Sequence, residues 1–144
     1  MSARPKVPLI ARTLLGLAFL VFGLNFFLRF LPEPVHQPEV MAFFGALMTG
    51  KIMTIVKVVE IGAAVLLLSN RFVPLALTLL APVEIGILAF HGVFDPGGLP
   101  VVGVLAALTI YLAWSYRAAF APMLQARVEP TAAGATTARH PVTA

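Results

Sequence analysis

The chain contains no cysteine. That excludes disulfides, thiol redox catalysis, iron–sulfur ligation and cysteine-based zinc sites. It leaves the compartment open, because a chain without thiols tolerates any redox poise. Charge is also scarce. Asp, Glu, Lys and Arg make up 11% of the 144 residues, against about 25% in an ordinary soluble domain. Histidine occurs only at His36, His91 and His140, so a haem held by two histidines of this chain is hard to build inside a bilayer. There is no Walker loop, nucleophile elbow or HExxH sequence.

What is present is apolar. Hydrophobic residues make up 60% of the chain, and the mean hydropathy is +0.96. The length has room for one domain. The composition excludes a disordered chain, a collagen-like chain and a nucleic-acid-binding domain. The net charge is +4 and the isoelectric point about 10.1. With so few charges, their positions matter more than their sum.

A membrane helix needs roughly 17–25 mostly apolar residues. Four segments qualify, at about 9–31, 52–69, 72–94 and 99–116. The breaks between them have good turn chemistry. Pro32, Pro34 and Pro38 end the first span and keep the next stretch extended. Asn70-Arg71 separates spans two and three, with Pro74 early in the next helix, where a missing N–H costs little. Asp95-Pro96-Gly97-Gly98 forms a tight turn before span four. Span one is too long for a signal peptide and lacks a small-x-small cleavage site after it. The expected architecture is an all-α, four-helix transmembrane bundle at residues 9–124. A cytoplasmic segment at 1–8 precedes it, and a disordered cytoplasmic tail at 125–144 follows. Residues 38–48, rich in Met and Phe, read as a short interfacial helix between spans one and two.

Lys and Arg in short loops set orientation. Arg4, Lys6, Arg12, Arg71, Arg117, Arg127 and Arg139 fall on one side, and Arg29 and Lys51 on the other. Both termini are therefore expected in the cytoplasm. Trp114, Tyr116 and Tyr111 then form an inner aromatic belt. Gly16, Gly23, Gly62 and Gly103 read as close-packing points.

An ionisable group at mid-bilayer costs at least about 2.5–3.5 kcal/mol. Polar residues inside the spans are therefore the first candidates for function: Asn25, Lys57, Glu60, Glu84 and His91, with Arg29 expected to reach the outer interface. At 1.5 Å per residue all of them fall between the midplane and the outer surface. Lys57 and Glu60, at i and i+3, share a face. Glu84 and His91, at i and i+7, lie about 20° apart around their helix. Pro82 is expected to kink span three beside Glu84. Stripes on three helices that avoid lipid predict one polar pocket open to the outside. A structural alternative stands beside each residue. Lys57–Glu60 is then a self-neutralising ion pair, Glu84 a carboxyl bonded to a neighbour, His91 an interfacial residue and Asn25 an interhelical hydrogen bond.

The segments LLGLAFLVFGLNFF, KVVEIGAAVLLLSNRFVPLAL, LLAPVEIGILAFH and FDPGGLP with YLAWSYR together resemble the DoxX family of small bacterial membrane proteins. The resemblance runs from about Arg12 to Leu124. It implies a four-helix bundle in the bacterial inner membrane, associated with redox chemistry. Some members are the small subunit of a thiosulfate:quinone oxidoreductase, and others partner with detoxification enzymes. The motif positions that carry over are Asn25, Lys57, Glu60 and His91. Span three departs from the pattern, with the carboxylate Glu84 near Gly86 where a neutral polar residue is expected. The resulting expectation is a redox-associated membrane subunit binding a quinone, with a redox partner protein or a second copy of itself beside it. A lipid-binding or assembly protein without turnover, and a proton or solute transporter, are the alternatives.

Overall fold

A computed structural model describes residues 6–32 and 37–130. Arg4, His36, Arg139, His140 and the part of the expected tail beyond Pro130 lie outside the described residues. Every regular element among the described residues is helical. The order is α1 (Lys6–Leu28), α2 (Pro38–Thr49), α3 (Ile52–Leu68), α4 (Val73–Val93), a 3₁₀ turn (Pro96–Gly98), α5 (Leu99–Ser115), α6 (Arg117–Phe120) and a second 3₁₀ turn (Ala121–Leu124).

Among the described residues, three stretches are long and apolar enough to cross a membrane: Lys6–Leu28, Val73–Val93 and Pro96–Ser115. Their surfaces suit lipid. Val7, Ile85 and Ile110 are each more than 60% exposed, where a soluble domain would carry charge. The four longest helices form an up-down bundle, α3 packing on α1 and α4, and α5 on α4 and α1. Both described chain ends therefore lie at one end of the bundle, and α2 lies at the other.

The element boundaries follow local chemistry. The α3–α4 connection is a Schellman stop. Asn70 is left-handed (φ 57°), its N–H donates to the Leu67 carbonyl, and that of Arg71 donates to the Leu66 carbonyl. α1 ends at Leu28, earlier than expected, because Arg29 also turns left-handed. Helix α4 continues through Pro82 to Val93. Residues 117–124, between the expected fourth span and the expected tail, form helical turns. Gly16 and Gly23 do let helices approach closely: a Cβ there would meet Leu68 Cγ at 2.9 Å and Ile61 Cγ1 at 2.7 Å. Gly62 and Gly103 have nothing within 4 Å, so they face outward and are not packing points.

Burial is uneven along the bundle axis. The core consists of Leu15, Phe19, Ala63, Ala64, Leu67, Ala76, Leu77, Leu80, Leu105, Leu112 and their neighbours, and all of these named residues except Leu105 lie in the half nearer the chain ends. In the α2 half, the described residues that are buried are Gly23, Val40, Val102 and Leu105. There α2 is held against α4 by rings. Phe43 stacks on Phe94 at 5.7 Å and on Phe90 at 6.0 Å, and Phe44 tilts against Phe90 at 5.1 Å.

Candidate functional site

Each long helix buries a regular stripe, and each stripe includes one polar side chain. On α3 the stripe is Glu60, Ala63, Ala64 and Leu67; on α4 it is Val73, Ala76, Leu77, Leu80 and Glu84. On α5 it is Val102, Leu105, Thr109 and Leu112, and on α1 it includes Arg12. Glu60 is 1% exposed, Glu84 5%, Thr109 8% and Arg12 6%. Glu60 lies eight residues before the end of α3 and Glu84 eleven after the start of α4. That places both about 12–17 Å from the α3–α4 turn, near mid-helix. They stand where the tight core gives way to the loosely packed half.

Glu60 is neutralised from its own helix. Lys57 Nζ donates to Glu60 Oε1 at 3.0 Å and Oε2 at 2.8 Å. Two charge-assisted bonds satisfy a carboxylate that would otherwise be isolated in a low-dielectric interior. Glu84 is held across helices. Thr109 Oγ1 donates to Glu84 Oε1 at 2.7 Å. Among the described residues this is the side chain–side chain hydrogen bond that joins two helices. It leaves Glu84 Oε2 available for a second donor.

The remaining expected site residues are placed differently. His91 sits at the α2 end. Its Nδ1 lies 2.9 Å from the Ile87 carbonyl oxygen, and its Nε2 lies 3.6 Å from Asp95 Oδ2. Its ring packs edge-on to Phe90 and lies so close to Gly98 that a Cβ there would overlap it. Asn25 serves its own helix end, its Oδ1 accepting the Leu31 N–H at 2.7 Å. It is a terminal cap and not an interhelical bond, because the left-handed turn at Arg29 brings the following backbone back over α1. No hydrogen bond or ion pair among the described residues joins Lys57–Glu60 to Glu84–Thr109, or either pair to His91 or Asn25. The structure thus builds one buried polar pair, Glu84–Thr109, a second pair in which Glu60 is buried and Lys57 partly exposed, and separate contacts at the α2 end.

Sequence reasoning missed Thr109 and Arg12. Thr109 reads as an unremarkable hydroxyl in an apolar helix, and its i, i+3, i+7 spacing with Val102, Leu105 and Leu112 was the available signal. Arg12 was counted as a flanking charge, yet it is buried. Its Nη1 has no hydrogen-bond partner among the described residues. Two grooves occur near the chain ends, away from both polar pairs. One of about 260 Å³ is lined by Val7, Ile10, Ala11, Leu14, Leu108 and Tyr111. The other, of about 400 Å³, is lined by Ile110, Ala113, Trp114, Arg117, Phe120 and Leu124. Among the described residues, no three His, Asp or Glu side chains converge as metal ligands would.

No family model, curated protein or solved structure matches the chain.

Proposed function

We propose that this chain is a membrane subunit of a quinone-linked oxidoreductase, with the quinone headgroup received at Glu84 and Thr109. The observation that carries the reading is the position of this pair. A buried carboxyl and hydroxyl, 2.7 Å apart across two helices, lie beneath the loosely packed half of the bundle. A flat apolar ring with polar oxygens suits such a place, because mostly apolar walls with a few fixed polar groups define small-molecule sites. A quinone supplies the electron-accepting ring, and its conversion to a quinol takes two electrons and two protons. The electrons come from a redox partner protein. Glu84 holds one of the two protons for a ring oxygen on its free Oε2, the second reaches the other ring oxygen from water at the open end of the site, and Thr109 keeps the carboxyl aimed between α4 and α5. Lys57 has one N–H left after binding Glu60 and can support a ring carbonyl.

In this reading α3 is the fourth span. Its 17 residues rise only about 26 Å, and α2, lying in the interface, covers the shortfall. The excess of Lys and Arg at the end with the chain termini supports a cytoplasmic side for that end, and the DoxX resemblance supports a bacterial inner membrane. The site then opens toward the outer leaflet.

The test is binding of a short-chain quinone to the detergent-purified chain, followed by fluorescence quenching and by competition with a quinone-site inhibitor. Glu84→Gln and Thr109→Val are each expected to weaken binding about tenfold or more, the effect of losing one hydrogen bond in a dry site. Unchanged binding in both folded variants refutes the site. A second reading, an assembly protein without turnover, is favoured by one specific observation: Lys57 and Glu60 satisfy each other within a single helix. It predicts that no quinone binds to the chain and that both variants keep their partner.

A further inference from the structure

After Ser115 the chain leaves the axis of α5 and folds into α6 and the Ala121–Leu124 turn. Phe120 packs against the bundle core and ties this segment down. Between it and α5 runs the groove of about 400 Å³, within the range of roughly 300–1,000 Å³ typical of ligand clefts. Its walls are apolar and open, with Leu124 83% and Trp114 69% exposed. Its one charged lining residue is Arg117.

We infer that this groove binds one anionic phospholipid, its phosphodiester on the Arg117 guanidinium and an acyl chain along Ile110, Ala113 and Leu124. The inference does not depend on the quinone reading, only on helices that lie in lipid.

Three observations carry it. First, Arg117 is held in place before any ligand arrives. Its Nη1 donates to the Trp114 carbonyl at 3.1 Å, and its guanidinium carbon lies 5.2 Å from the centre of the Trp114 ring. One of five N–H donors is thereby used, and the rest can meet phosphate oxygens in the forked geometry that suits them. A side chain already fixed loses less freedom on binding. Second, the described residues at this end of the bundle include Lys6, Arg12, Arg71, Arg117 and Arg127, against Glu129. That excess of positive charge selects an anionic headgroup over a zwitterionic one. Third, free phosphate has no use for the walls of this groove, whereas an acyl chain does. The smaller groove between α1 and α5 has similar walls but no charged lining residue, so it has nothing with which to select a headgroup.

The test is native mass spectrometry of the full chain in detergent, titrated with phosphatidylglycerol, with phosphatidylcholine of the same acyl chains, and with inorganic phosphate. The wild type is expected to retain phosphatidylglycerol about tenfold better than phosphatidylcholine, the worth of one charge-assisted contact. Arg117→Gln should bring the two lipids level, and Arg117→Lys should keep part of the preference. Ala113→Trp, which fills the groove and keeps the charge, should lose both lipids. These positions lie at the bundle surface, and circular dichroism checks that each variant keeps its helices. A preference that survives Arg117→Gln, or lipid retention unchanged in Ala113→Trp, overturns the inference. Displacement of phosphatidylglycerol by millimolar inorganic phosphate also overturns it, because the site would then be a bare anion site.

Discussion

Removing Lys57 is the sharpest way to ask what the charges on α3 are for. Glu60 is 1% exposed, and its two oxygens have Lys57 Nζ as their hydrogen-bond partner, at 3.0 and 2.8 Å. Lys57→Met keeps the length and apolar stem of the side chain but withdraws both bonds. Breaking a buried ion pair by deleting one partner costs about 3–5 kcal/mol, because the other charge is left uncompensated. Replacing both partners by apolar residues of similar size is neutral or stabilises by about 1–4 kcal/mol. The pair therefore predicts a strongly non-additive cycle. Lys57→Met should lose about 3–5 kcal/mol, and Lys57→Met with Glu60→Leu should recover all of it. Unfolding by sodium dodecyl sulfate in mixed micelles, followed by helical circular dichroism and by the fluorescence of the single tryptophan, measures each corner. A single variant within about 1 kcal/mol of wild type, the median worth of an exposed pair, would show that Glu60 reaches water or another partner and would refute the argument. A double variant that folds well but no longer binds quinone would instead assign the pair a functional role.

The α4–α5 bond should behave similarly on a smaller scale. Thr109→Val leaves Glu84 Oε1 unpaired and is expected to cost about 1–3 kcal/mol, and the double variant with Glu84→Leu should recover most of it, as read by the same unfolding assay. Gly23→Ala drives a methyl against Ile61 and should lose about 1–3 kcal/mol, whereas Gly62→Ala enters open space and should be neutral or gain about 0.5–1 kcal/mol in helix propensity. Gly98→Ala should lower the melting temperature by forcing the His91 ring aside, and adding His91→Ala should restore it. Failure of that rescue would place the strain in the Pro96–Gly98 backbone.

Much of this protein is legible without its coordinates. Helical spans follow from run length, since only a continuous hydrogen-bonded helix satisfies its backbone in an apolar solvent. Turns follow from Asn70, Pro74 and the Asp95–Gly98 run, whose conformational limits are local. The Lys57–Glu60 pair was visible too, because i, i+3 spacing on a helix is fixed by its pitch. The short helix expected at residues 38–48 is there too, as Pro38–Thr49.

Other features depended on how helices meet. Asn25 looked like an interhelical group until the left-handed Arg29 turned the backbone onto it. Glu84 and His91 shared a stripe in the sequence, but seven residues of rise separate their environments. Glu84 reached across to α5, while His91 stayed with Asp95 and Gly98. Thr109 gained meaning only when α5 docked at the register that sets its hydroxyl 2.7 Å from Glu84. Arg12, a flanking charge by sequence, became a buried one once α1 turned it toward the bundle. Gly62 and Gly103 lost their expected packing role for the same reason. Periodicity tells which residues share a face of one helix, and hydropathy tells which segments leave water. Neither says which faces are paired or at what depth. That depends on side chains fitting between helices, and here it decided which polar groups became partners.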